Sequence, residues 1–165
     1  MRIAGTVQDS IVDGPGFRFT LFTQGCPHAG AGCHNPQTHD YSGGTERSLR
    51  ELTDELLSNP LTDGITFSGG EPFEQAADCA ALAQKARENG LNVWTYTGYT
   101  FERLLEKQKT DSGIADLLRL TDVLVDGPFV LAEKSYDVPW RGSRNQRLIR
   151  VPESLAAGKA ILLEL

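Results

Sequence analysis

The chain has 165 residues, a net charge of −6 and a pI near 5.0. That length suits one domain, 1–165, and the acidic balance argues against a nucleic-acid partner or an anionic membrane surface. No apolar run approaches the roughly 18 residues needed to cross a bilayer, and the N-terminus lacks a signal-peptide core. We therefore expect a cytoplasmic protein.

Hydrophobic patterning predicts strands that alternate with helices. The predicted strands are Phe17–Gln24, Gly64–Ser68, Leu91–Tyr96, Asp122–Asp126 and Gln146–Val151. The predicted helices are Ser48–Ser58, Phe73–Asn89, Thr100–Lys109 and Ile114–Leu120. Such alternation favours mainly parallel strands with crossover helices, and these strands are too few to close an eight-stranded barrel. We expect an α/β fold, an open partial (β/α) barrel with ligand sites at the carboxyl ends of its strands.

The first candidate site is a glycine-rich loop that follows the first predicted strand. It carries Cys26 and Cys33, seven positions apart, in the stretch GCPHAGAGCHNP. Thiolates hold iron–sulfur clusters, and three thiolates leave one iron open to a ligand. The residues alone leave three alternatives, which are a cluster, two thiols without a metal, and a zinc site that draws on His28, His34 or His39.

The second candidate site is the segment Ser68–Pro72, SGGEP, which follows the next predicted strand. Two adjacent glycines let the backbone come close to a ligand, and Glu71 can accept a hydrogen bond from an ammonium group. Alone, this segment would usually be a tight strand-to-helix turn, but beside a cysteine loop it strengthens the cluster interpretation. Cys79 shares helical spacing with several alanines and is predicted to be a small core residue.

Six segments, taken in order, resemble the activating proteins of anaerobic ribonucleoside-triphosphate reductase, a family of the radical S-adenosylmethionine superfamily. They are Asp13–Gly16, the cysteine loop, SGGEP, Trp94–Tyr99, Val125–Phe129 and Trp140–Arg147. The cysteine loop and GGEP mark the superfamily, whereas the last two segments are more specific to the family.

The resemblance implies a radical S-adenosylmethionine oxidoreductase that activates a glycyl-radical enzyme. In the family, a 4Fe–4S cluster binds S-adenosylmethionine and reduces it, which yields a 5′-deoxyadenosyl radical. That radical takes a hydrogen atom from a glycine of the reductase and leaves a glycyl radical. The implied partners are the large, glycyl-radical subunit of the reductase and a low-potential one-electron donor such as flavodoxin or ferredoxin.

The resemblance also implies roles for individual residues. Cys26 and Cys33 would be cluster ligands, and no catalytic side chain beyond the cluster is expected. The implied cofactor-binding residues are Gly32, Cys33, His34, Gly69, Gly70 and Glu71. Further candidates for lining the site or docking the reductase are Asp13, Gly14, Gly16, Tyr96, Arg141 and Asn145.

Gly30 departs from the family, which has its second cysteine at this position. The spacing of Cys26 and Cys33 is intact, so one ligand has been replaced without an insertion. Glycine offers no donor, and the possible substitutes are His28, His34 or a small-molecule thiol. Two functions therefore remain open. One is an active radical enzyme, and the other is a catalytically impaired or inactive homologue that keeps the fold and partner binding.

Overall fold

The computed structural model describes residues 1–28, 38–135 and 139–164. Its strands are β1 (Arg2–Ser10), β2 (Arg18–Thr23), β3 (Thr45–Glu46), β4 (Gly64–Gly69), β5 (Asn92–Tyr96), β6 (Val123–Asp126) and β7 (Arg147–Arg150). Its helices are α1 (Leu49–Leu57), α2 (Ala76–Glu88), α3 (Phe101–Lys107), α4 (Ser112–Leu120) and α5 (Val151–Ala157). Two short 3-10 turns cover Pro72–Gln75 and Leu131–Glu133.

The seven strands form one sheet in the order β3-β1-β2-β4-β5-β6-β7. The four central strands, β2, β4, β5 and β6, are parallel to one another, with helices between them in sequence. This confirms the α/β class and the crossover helices. Strand β1 runs antiparallel to β2 and β3, and β7 runs antiparallel to β6.

All five predicted strands and all four predicted helices are present, and the four central strands are parallel as expected, whereas β7 at the sheet edge is antiparallel. A parallel return needs a crossover connection, usually a helix. The described part of 127–146 contains only a 3-10 turn, so the chain reverses and β7 pairs antiparallel. The elements β1, β3 and α5 were not predicted.

Helix starts follow the local signals in the sequence. A capping box starts α1: Ser48 Oγ accepts the Glu51 N–H at 3.1 Å, and Glu51 Oε1 accepts the Ser48 N–H at 3.3 Å. Thr100 and Asp111 cap α3 and α4 in the same way, each accepting a backbone N–H three residues on.

The two faces of the sheet differ in chemistry. Phe19, Ile65 and Val93 stand side by side on one face and belong to the main core, together with buried residues of α1, α2, α3 and α4. Thr20, Thr66 and Trp94 stand side by side on the other face. Side chains alternate along a strand, so the helices pack on the apolar face and leave a partly polar face for a site.

No helix among the described residues is long and apolar enough to cross a membrane.

Candidate functional site

A cavity of about 520 Å³ opens at the carboxyl ends of the parallel strands. Its wall takes residues from the segments after β1, β2, β4, β5 and β6, and from the segment before β7. Among them are Cys26, His28, Ser68, Gly69, Gly70, Tyr96, Thr97, Gly98, Phe129, Trp140, Arg141 and Gln146. The cavity therefore lies where parallel α/β sheets bind their ligands.

The two described ends of the cysteine loop are paired with each other. The Gly25 N–H donates to the Thr38 carbonyl at 2.6 Å, and the Cys26 N–H donates to the His39 carbonyl at 3.2 Å. Gly25 has φ +102°, and a Cβ there would lie 2.5 Å from the Tyr41 ring. Glycine is thus required at the point where the chain leaves β2 and presents Cys26 to the cavity.

The two glycines of SGGEP are needed because this turn packs against the base of the cysteine loop. A Cβ on Gly70 would lie 2.4 Å from the Gly25 carbonyl oxygen, and Gly69 has φ +90°. The Gly70 N–H donates to the Thr23 carbonyl, and the Glu71 N–H donates to the Gly25 carbonyl, both at 2.8 Å. The backbone after β4 is therefore bonded directly to the backbone after β2.

The Glu71 carboxylate points into the protein and has no exposed surface. It accepts the Phe73 N–H at 3.0 Å and the Gly98 N–H at 2.8 Å. The Thr97 hydroxyl lies within 3.0 Å of both of its oxygens, and His28 Nε2 lies 2.7 Å from Oε1. A buried carboxylate needs such donors to offset its lost hydration. A ligand ammonium would therefore reach this carboxylate only by displacing one of these donors.

Asp13 lies in the cavity wall and is held by the polar face of the sheet. Its Oδ2 accepts hydroxyl protons from Ser10 at 2.6 Å and Thr20 at 3.2 Å, and its carbonyl accepts the Thr66 hydroxyl at 2.7 Å. These bonds fix the loop after β1 across the sheet, with Asp13 facing the cavity.

Arg18 is a fully buried cation behind this loop. Its guanidinium donates to Thr66 Oγ1 at 2.7 Å and to the carbonyls of Pro15 and Ile65, and it lies 5.7 Å from the ring centroid of Trp94. Burial lowers the pKa of Arg18 to about 10. Arg18 does not line the cavity, so its contribution is to hold the loop that carries Asp13.

Tyr96 and Arg141 also lie in the cavity wall. Burial raises the pKa of Tyr96, so its hydroxyl is neutral at physiological pH. Arg141 lies beside Trp140, a non-glycine residue at φ +63° whose ring packs edge-on against Trp94 at 6.1 Å. Non-glycine residues at positive φ persist where the surrounding structure holds them, and they cluster at functional sites.

Three residues predicted as possible lining lie behind the wall. A Cβ on Gly14 would meet the Arg18 side chain at 2.9 Å, and a Cβ on Gly16 would meet Asp63 at 2.6 Å. Asn145 donates to the Pro128 carbonyl at 2.8 Å. All three positions are explained by local packing and hydrogen bonding.

Four predicted site residues, Gly30, Gly32, Cys33 and His34, lie outside the described residues. Cys79 has no exposed surface and belongs to the main core on α2. No three His, Cys, Asp or Glu side chains of the described chain come together as a metal-binding group.

Sequence reasoning missed several residues of the wall. Thr97 and Gly98 follow β5, Gly127, Pro128 and Phe129 follow β6, and Trp140 precedes β7. Those after β5 and β6 could have been found, because the rule that places sites at strand ends applies to all four parallel strands. The strand-end rule does not reach the segment before β7, since β7 is antiparallel, and there only the family resemblance of Trp140–Arg147 pointed to the site.

Comparison with known proteins gives consistent results. A family model described as 4Fe-4S single cluster domain matches residues 12–149. The anaerobic ribonucleoside-triphosphate reductase-activating protein of Vibrio cholerae is 36% identical to this chain, and the match covers 85% of this chain and 92% of that protein. The protein of the same name from Escherichia coli K12 is 37% identical, and that match covers 82% of this chain and 90% of that protein. The enterobacteria phage T4 protein of that name is 34% identical, over 83% of this chain and 86% of that protein.

One solved structure, that of QueE from Escherichia coli, aligns with a TM-score of 0.45 at 17% identity, over 60% of this chain and 52% of that chain. This likeness is too weak to carry an argument about function. The sequence relatives are close and cover most of both chains. The chain belongs to the family of anaerobic ribonucleoside-triphosphate reductase-activating proteins.

Proposed function

We propose that this chain activates anaerobic ribonucleoside-triphosphate reductase, with S-adenosylmethionine bound in the cavity beside an iron–sulfur cluster. The observation that carries the proposal is the placement of Cys26 and the Gly69–Gly70 turn in one cavity wall, in a chain of this family. In this proposal the sheet is an open partial barrel of the radical S-adenosylmethionine type, in one domain.

The cavity, at about 520 Å³, has a volume that suits a nucleoside ligand such as S-adenosylmethionine. Ligand pockets usually enclose roughly 300–1,000 Å³ and combine apolar walls with a few placed polar groups. Here Phe129 and Trp140 supply aromatic surface, while Asp13 and Arg141 supply charge. We assign the turn at Gly69, Gly70 and Glu71 to the methionine end of the ligand. In this assignment the Glu71 carboxylate stabilises the turn through its hydrogen bonds to Phe73 and Gly98.

The donor set for a cluster is one thiolate short. Cys26 lies in the cavity wall and Cys33 follows it in sequence, but Gly30 has no donor atom. Of the described residues, Cys79 is buried in the core and cannot substitute without leaving it. His28 Nε2 contacts Glu71 at 2.7 Å, so only its Nδ1 could serve as a ligand. With a complete cluster, the family's chemistry is one-electron reduction of S-adenosylmethionine, and the chain's own part is to bind and orient that ligand away from water.

Gly30 favours a second candidate function, an impaired or inactive homologue that keeps the fold and the binding of the reductase. The ends of the cysteine loop near Cys26 are held by backbone hydrogen bonds, so neither they nor the fold depend on a third thiolate. Both candidates share the reductase as partner, and only the first needs an electron donor such as flavodoxin or ferredoxin.

Anaerobic reconstitution with iron and sulfide separates the two candidates. The measurements are iron per chain and S-adenosylmethionine cleavage for the chain, Gly30→Cys and a Cys26→Ser control. About four irons per chain with cleavage supports the active enzyme, because a 4Fe–4S centre requires that stoichiometry. Near-zero iron in the chain, restored in Gly30→Cys and lost again in Gly30→Cys/Cys26→Ser, supports the impaired homologue. Failure of Gly30→Cys to hold iron contradicts the cluster site itself.

A further inference from the structure

Arg141 is an arginine in the cavity wall with most of its donors unused. Its Nη1 donates to the Gln146 carbonyl at 3.3 Å. Its Nε is buried and has no hydrogen-bond partner within the described chain. Nη2 likewise has no partner there, and none of the described carboxylates pairs with this guanidinium. A buried N–H without an acceptor is costly. A ligand oxygen that displaces the atoms now covering Nε would remove this cost, and Nη2 offers a second donor beside it.

The charges of the cavity wall point to an anionic ligand group. Arg141 is the only Lys or Arg among the described lining residues. Asp13 is the only carboxylate in that wall, and its Oδ2 already accepts hydroxyl protons from Ser10 and Thr20. The positive charge of Arg141 is therefore not neutralised within the described wall.

The turn that carries Arg141 is held in place by Gln146. Gln146 Oε1 accepts the Gly142 N–H at 2.8 Å and the Ser143 N–H at 3.2 Å, and its Nε2 donates to the Gly127 carbonyl at 3.0 Å. These bonds tie the turn to the end of β6. The backbone that carries Arg141 is thus fixed before any ligand arrives, which lowers the entropy lost on binding.

We propose that the Nε–Nη2 edge of Arg141 binds the carboxylate of S-adenosylmethionine through two parallel hydrogen bonds. Nε–H and Nη2–H point in the same direction and match the two oxygens of a carboxylate. The inference rests on the proposed function, because it takes the cavity to be the S-adenosylmethionine site. It adds a residue of the segment before β7 as a determinant of ligand specificity.

Equilibrium binding with two ligands tests this assignment. The ligands are S-adenosylmethionine and its decarboxylated analogue, S-adenosylmethioninamine, and no iron is added, so that coordination of iron by the carboxylate does not contribute. The unaltered chain should prefer S-adenosylmethionine by about 10–100-fold, the range expected for hydrogen bonds between charged groups. Arg141→Gln should abolish this preference by weakening only the S-adenosylmethionine complex. Arg141→Lys should keep part of it, since a lysine offers charge without the two-pronged geometry.

Arg144→Gln is the matched control, because Arg144 is exposed in the same segment and does not line the cavity. It should bind both ligands as the unaltered chain does, and thermal unfolding of each variant checks that the fold is intact. Arg141→Gln with an unchanged preference for the carboxylate overturns the inference while leaving the cofactor site in place. If Arg141→Gln loses binding to the reductase while its S-adenosylmethionine binding is unaltered, Arg141 contacts the reductase and not the cofactor. That result also overturns the inference. Absence of binding by the unaltered chain to both ligands and to 5′-methylthioadenosine contradicts the cofactor site itself.

Discussion

His28 Nε2 lies 2.7 Å from Glu71 Oε1, which connects the cysteine loop to the turn after β4. A carboxylate has no proton to give, so Nε2 carries the hydrogen of this contact. Glu71 in turn accepts the Gly98 N–H from the segment after β5, and the His28 ring packs edge-on against Tyr99 at 4.6 Å. One carboxylate therefore connects three of the segments that form the cavity wall.

His28→Ala should lower the free energy of unfolding by about 1.5–3 kcal/mol, the usual range for a hydrogen bond to a charged group. It should also speed the alkylation of Cys26, because His28 ties the chain two residues after Cys26 to Glu71. Denaturation with urea and peptide-level mass spectrometry of alkylated protein measure the two effects.

His39→Ala is the control for this variant, because His39 also lines the cavity but holds Cys26 through its backbone carbonyl. His28→Gln should restore part of the stability, since its amide can donate to Glu71. Equal alkylation rates in His28→Ala and the unaltered chain would show that this contact does not position the cysteine loop.

Gly70→Ala should destabilise the chain by about 1–3 kcal/mol, the usual result of adding a methyl group where there is no space. The added Cβ would lie 2.4 Å from the Gly25 carbonyl oxygen and 2.9 Å from the Thr38 carbonyl oxygen. Both are backbone atoms of the cysteine-loop base and cannot rotate away. Gly5→Ala, with nothing within 4 Å of its Cβ, should change stability by less than about 0.5 kcal/mol. Urea denaturation of the pair checks the difference, and equal stabilities would contradict the tight contact.

The sequence predicts the centre of this fold better than its edges. The parallel strands are buried and strongly apolar on the core face, so their pattern is clear, and the strand-end rule then locates both the cysteine loop and the Gly69–Gly70 turn. Strand β1 lies near the sheet edge, with residues such as Val7 exposed, and its pattern is weak. The inward direction of Glu71 could not be predicted, because it depends on donors from Thr97 and Gly98, which are distant in sequence.

Arg147→Gln tests the ion pair that joins β7 to the end of β6, on the opposite side of the sheet from β1. Arg147 forms a two-pronged ion pair with Asp126, which is 1% exposed and also accepts the Phe101 N–H at the start of α3. Removing one partner of a buried pair costs about 3–5 kcal/mol, and we expect about 2–3 kcal/mol here because Arg147 is one-third exposed. Arg150→Gln is the control on the same strand. It breaks an exposed pair with Glu153 of α5 and should cost less than about 1 kcal/mol. Calorimetric unfolding that gives both variants the same stability would contradict this role.

Glu102→Gln should change the free energy of unfolding in a pH-dependent way, because Glu102 also pairs with Arg147. The hydrogen bond from Arg147 holds the pKa of Glu102 below its usual range. A lowered pKa in the folded state stabilises the fold above the ordinary carboxyl pKa, and this contribution is lost as the pH falls through the folded-state value. The variant should therefore be less stable than the unaltered chain at pH 7, by under about 1 kcal/mol because Glu102 is exposed, and equally stable near pH 3. A difference that stays constant across that range would contradict the ion pair.

Cys79 should behave as a core residue and not as a substitute cluster ligand. It has no exposed surface, and burial raises the pKa of its thiol, so little reactive thiolate forms at neutral pH. Under native conditions iodoacetamide should therefore modify Cys26 and leave Cys79 unmodified, whereas both should react in urea. Cys79→Ala should leave the iron content after reconstitution of the unaltered chain unchanged, because the buried thiol does not reach the cavity. A fall in iron content in that variant, with its fold intact, would mean that the core thiol moves to the cavity.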